Sequence, residues 1–96
     1  FSLRDFKKAL KYQLQGLEIT EKVGDLAGIG EVCANLGNTY FGLEEFEKAI
    51  EYYTKHLNIT KKVGNFAGEG TAYGNLGVVS LHQKDFQKGI EYCTQH

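Results

Sequence analysis

The chain is 96 residues long, carries a net charge of −1 and has a pI near 6.3, which gives no electrostatic reason to expect nucleic acid or an acidic membrane as partner. No apolar run approaches the roughly 20 residues that a membrane span needs, and no signal-like start is visible. Two cysteines, Cys33 and Cys93, make no disulfide framework and point to a reducing, cytoplasmic setting.

Proline is absent, and the apolar residues follow helical spacing without strand-like alternation. Leu3 to Val23 reads as the first helix, with Phe6, Leu10, Leu14 and Leu17 on one side and Asp5 placed to cap it. Gly24 stops that helix, since a terminal residue at positive φ is least costly as glycine, and Asp25 follows as the N-cap of the next. The second helix runs from about Leu26 to Gly42, its apolar stripe formed by Cys33, Leu36, Gly37 and Tyr40. Leu43-Glu44-Glu45 is a turn short enough to force an antiparallel return. The third helix, about Glu45 to Val63, carries Phe46, Ile50, Tyr53 and Leu57, with Ala49 beside them. Gly64-Asn65 repeats the stop and cap, Phe66 to Gln83 repeats the second helix, and Asp85 begins a last helix that frays toward His96.

These elements are copies of one another. Val23-Gly24-Asp25-Leu26-Ala27-Gly28-Ile29-Gly30 returns forty positions later as Val63-Gly64-Asn65-Phe66-Ala67-Gly68-Glu69-Gly70. Asn35-Leu36-Gly37 returns as Asn75-Leu76-Gly77. Phe6, Lys8 and Tyr12 recur as Phe46, Lys48 and Tyr52, and again as Phe86, Lys88 and Tyr92. A fixed period of this size means stacked repeats, each with more apolar face than it can bury alone. Residues 25–64 read as one complete repeat, residues 1–24 as the second helix of a preceding one and residues 65–96 as a truncated following one. The whole is then a fragment of a longer array, with apolar ends available for self-association. Glycine inside a helix needs a packing reason. Gly37 and Gly77, with Ala9, Ala49 and Gly89, mark where antiparallel helices approach closely, and Phe46 and Phe86 fill the space beside them.

Asn35-Leu36-Gly37-Asn38-x-Tyr40 followed by Phe46-x-Lys48-Ala49-Ile50-Glu51-Tyr52-Tyr53 resembles the tetratricopeptide repeat. The usual repeat of that family is about 34 residues and ends in proline, whereas here the period is forty and Glu21 or Lys61 stands in the proline's place. The longer period and its Val-Gly-Asp/Asn-x-Ala-Gly-x-Gly signature resemble the subclass of Pins-type G-protein-signalling modulators. The resemblance implies an all-α, right-handed superhelix of antiparallel helix pairs. It implies a protein-interaction scaffold or adaptor, in intracellular signalling, that holds a peptide segment of another protein in its concave groove.

By the same resemblance, the groove is lined by the side of each repeat's first helix opposite the stripe. At about 100° per residue that side carries Glu31, Asn35, Asn38 and Phe41, then Thr71, Asn75, Val78, Leu81 and His82. An amide side chain donates and accepts at once, which suits the free N–H and C=O groups of an extended peptide. The bland alternative is that these asparagines hold neighbouring helices or face water, and that the repeats are spacers in an array that recognises its partner elsewhere. No lysine or arginine lies on this side, so a carboxylate clamp is not expected. His56, His82 and His96 have no ligand-spaced companions, so neither a metal nor another cofactor is expected. His56 reads as a surface or partly packed residue. Cys33 and Cys93 read as packing residues, Lys7, Lys8 and Lys11 as a solvated basic face, and the Asn58-Ile59-Thr60 sequon as incidental within a helix. No titratable cluster suggests an enzyme.

Overall fold

Three short turns divide the chain into four helices. In a computed structural model that describes residues 3–95, and side chains through residue 87, these are α1 (Leu3–Val23), α2 (Leu26–Gly42), α3 (Phe46–Val63) and α4 (Phe66–Gln95). No strand occurs among the described residues, and the protein is an all-α helical repeat. Each helix packs on its neighbours in sequence, α2 on α3 most extensively, and the two- and three-residue connections make each pair antiparallel.

The stop-and-cap pairs form as their residue types require. Gly24 and Gly64 adopt φ of 77° and 73°. The N–H of Asp25 donates to the Thr20 carbonyl at 3.1 Å, and that of Asn65 to the Thr60 carbonyl at 2.8 Å, which closes α1 and α3. Asp25 Oδ1 accepts from the N–H of Gly28 at 3.1 Å, and Asn65 Oδ1 from that of Gly68 at 2.9 Å, so α2 and α4 are both capped at their starts. Asp5 lies within the first turn of α1, where a carboxylate complements the helix dipole.

The core is the face between α2 and α3, continued onto α4: Leu36, Tyr40, Ala49, Tyr53 and Val79. Cys33, Leu36, Gly37 and Tyr40 are all buried, as their spacing predicts. Gly37 has its packing reason, but the filler is Tyr53: a Cβ on Gly37 would stand 2.5 Å from that ring. Phe46 and Phe86 instead meet each other edge to face, with centroids 5.9 Å apart, and Phe46 also meets Phe41 at 5.9 Å. Gly77 faces open space, so the expected close approach is not made there. On α1, Leu14 is exposed, and the inward place beside it goes to Gln13. The Gln13 Oε1 accepts from the Thr39 hydroxyl at 2.7 Å, linking α1 to α2. At the far end of α2, Gly42 leaves room for the ring of Phe6.

The helix break expected before Asp85 is absent, and α4 runs through it for 30 residues. The corresponding α2–α3 turn explains why. It closes with Glu45 N–H donating to the Tyr40 carbonyl at 2.9 Å, which sets Glu44 at φ 61°, a strained value for a residue with a side chain. Leu43, half-buried against the core, offsets that strain. Forty positions on, Leu43 becomes Gln83, Glu44 becomes Lys84 and Gly42 becomes His82, so the apolar anchor is gone and good helix formers remain. The stripe Ala72, Leu76, Val79, Gln83, Phe86 continues at steps of four and three and keeps Phe86 on Phe46. Gly89, Cys93 and the fraying expected at His96 lie outside the described side chains.

Candidate functional site

The N-terminal halves of α2 and α4 stand apart above the C-terminal half of α3, leaving an open cavity of about 440 Å³. Its wall is built from small residues. Ala27, Gly30, Glu31, Ala34 and Asn35 come from α2, Gly68 and Thr71 from α4 with the cap Asn65, and His56, Ile59, Thr60 and Val63 form the floor. Gly30 is small for a reason: a Cβ there would lie 2.9 Å from Ile59 Cγ2 and 3.7 Å from His56 Cδ2.

Of the residues read from sequence as groove-facing, Glu31, Asn35 and Thr71 meet at this cavity. Asn35 and Glu31 are exposed, and the Asn35 amide has no side-chain partner among the described residues. Asn38 is otherwise engaged, because its Oδ1 accepts from the Tyr53 hydroxyl at 2.5 Å. Phe41 and His82 close the far end of the α2–α4 cleft, their rings edge to face at 5.1 Å. Phe41 is thereby packed between α3 and α4 and forms no open pocket. Asn75 is half-buried, and neither it nor Val78 or Leu81, both exposed, lines the cavity.

The floor is what the sequence reading missed. His56 is a buried member of the α3 stripe, although it reads in sequence as a surface or partly packed residue. The signal was its phase, since it lies three residues after Tyr53 and four before Thr60, both of them inward-facing. Its Nδ1 is buried and has no hydrogen-bond partner among the described residues. Burial lowers its pKa from the ordinary value of 6.5, because a charged ring is penalised away from water. Burial likewise raises the Cys33 thiol, with Lys55 opposing and Glu21 adding to the shift, which fits an inert packing residue better than a nucleophile. On α4 the counterpart of Cys33 is the half-exposed Tyr73, whose ring lies 5.4 Å from the Lys61 ammonium.

Among the described residues, no group of three His, Cys, Asp or Glu could hold a metal ion, and no helix is long and apolar enough to cross a membrane. None of the curated proteins matches the chain. A family model described as tetratricopeptide repeat matches residues 1–62, which takes in α1, α2 and nearly all of α3. That family consists of helical repeats that act as scaffolds for protein binding. With four antiparallel helices, a forty-residue internal period and that match, the chain belongs to the tetratricopeptide repeat family.

Proposed function

We propose that this protein binds an extended segment of a partner protein in the cleft between α2 and α4, with the cavity over α3 as its deepest subsite. The observation that carries this reading is the cavity itself, about 440 Å³, walled by glycine and alanine and rimmed by polar groups that include the unengaged Asn35 amide. Small side chains let a peptide backbone approach, and an amide can then serve its N–H and C=O groups together. Glu31, Asn35 and Thr71 are the contacts proposed here; Asn75, Val78 and Leu81 extend the surface along α4. The forty-residue period supports a place in the long-repeat subclass that resembles Pins-type modulators, with residues 25–64 as its complete repeat.

The test is a peptide-array screen of the chain beside Asn35→Ala. Retention of helicity with weaker capture supports the cleft as the site. Undiminished capture by Asn35→Ala would place the site elsewhere on the chain. No capture at all, or loss only where the helices melt, turns the reading toward the spacer alternative, which the Asn38–Tyr53 bond and the Phe41–His82 contact favour, since both spend groove-side residues on holding helices together.

A second surface is supported by the contrast between Gly37, covered by Tyr53, and Gly77, covered by nothing. Around Gly77, Tyr73 and Ser80 are exposed where their counterparts Cys33 and Tyr40 are buried. A helix in the repeat phase of α3 fits this face, and the α1 of a second copy, with Phe6, Ala9 and Tyr12 where α3 has Phe46, Ala49 and Tyr52, can supply one. Sedimentation velocity should then show concentration-dependent association that Gly77→Leu abolishes. A monomer at all concentrations would exclude it.

A further inference from the structure

We propose that the cavity between α2, α3 and α4 is a subsite for a basic side chain, the arginine or lysine of a bound segment. The inference rests on the cleft being the binding site and adds the chemistry of what enters it. Three of the polar groups around the cavity, Glu31, Thr60 and Thr71, present only lone pairs. Among the described residues Glu31 is the only charged one that lines it, and no lysine or arginine does. Thr71 and Thr60 both line it with hydroxyls whose protons are already committed, to the Ala67 carbonyl at 3.1 Å and the Leu57 carbonyl at 2.7 Å, so each presents only lone pairs. Asn35 adds an amide that accepts as well as donates, while Asn65, whose oxygen is taken by the Gly68 N–H, offers its NH2.

Arginine and lysine are donors without acceptors, the complement of such a set. An acidic side chain would meet Glu31 with like charge and have no cation to pair with. The rest of the wall is apolar and suits the methylene stem that a basic residue buries while its charged head stays near water. Glu31 is exposed, so the ion pair is partly screened and contributes modestly. Selectivity therefore comes from the acceptor geometry as much as from charge.

The test is an amide-resolved NMR titration of the chain with N-acetyl-arginine amide, run beside the citrulline analogue, which matches its shape without the charge. The expected result is a set of shifts confined to residues 27–35, 56–63 and 65–71, larger for arginine than for citrulline. Glu31→Gln should weaken the arginine probe about fivefold, while Glu47→Gln, a surface control elsewhere on α3, should not. Equal binding of citrulline, indifference to Glu31→Gln, or shifts scattered over other acidic surfaces would overturn the inference. A segment captured in the screen that shifts cleft amides, yet binds Glu31→Gln as well as the unaltered chain, overturns this inference alone and leaves the cleft standing. Absence of cleft shifts with every captured segment overturns both.

Discussion

Equivalent residues of the two copies do different work, and glycine shows it most plainly. Gly37 lies under the Tyr53 ring, where a Cβ has no room, whereas Gly77 faces open space. Gly37→Ala should therefore destabilise by about 1–3 kcal/mol through overpacking. Gly77→Ala should stabilise by up to about 1 kcal/mol, because alanine is the better helix former and displaces nothing. Urea denaturation of the two variants measures both, and a shared sign would refute the assignment. His56 gives a second residue-scale prediction. Its pKa is lowered in the folded chain, so the unfolded chain takes up a proton that the folded chain refuses. The stability it contributes is complete above the unfolded value of 6.5 and is lost as pH falls through that value toward the lowered one. The thermal midpoint should drop as pH falls below the ordinary value of 6.5, and His56→Leu should flatten that drop. An equal drop in the variant would assign the effect to other groups.

At the scale of elements, the sequence made three helices and both stop-and-cap pairs legible because the information is local. A glycine followed by an Asx, an apolar stripe at helical spacing and a three-residue turn each act within a few residues of themselves. The fourth helix was misread because a period predicts a copy and takes no account of which residues make a turn worth its strain. Leu43 anchors Glu44 in a left-handed conformation, and Gln83 cannot do the same for Lys84. Because Glu44 is held at φ 61°, Glu44→Gly should stabilise the chain by about 1 kcal/mol, read as a higher urea midpoint at unchanged slope. A lower midpoint would mean that the glutamate side chain contributes more than its backbone costs.

At the scale of the whole molecule, the radius of gyration is 14.9 Å, against about 12.5 Å for a compact domain of this length. The long dimension of 52 Å reflects stacking in one direction together with the uninterrupted α4. This arrangement, more than any single residue, makes a cleft: successive first helices stand side by side, and α3 forms the floor beneath them. The rim was legible in sequence, since Glu31 and Asn35 share a helix side and Thr71 holds the repeat phase of Glu31. The floor was not, because His56, Ile59 and Val63 reach the cavity only through the angle at which α3 crosses beneath α2 and α4, and no periodicity within one helix encodes that. Asn38 and Phe41 share the same helix side, yet contacts from α3 and α4 engage them.

The central claim is that the cleft over α3 receives a partner segment. The most direct measurement is a peptide-array screen of the unaltered chain beside Ala34→Trp, with helicity checked by circular dichroism. Ala34 lines the cavity outside the core cluster, so an indole there plugs the cleft without touching the packing between α2 and α3. Segments captured by the unaltered chain should be lost by Ala34→Trp at unchanged helicity. Equal capture of the same segments by both proteins would contradict it.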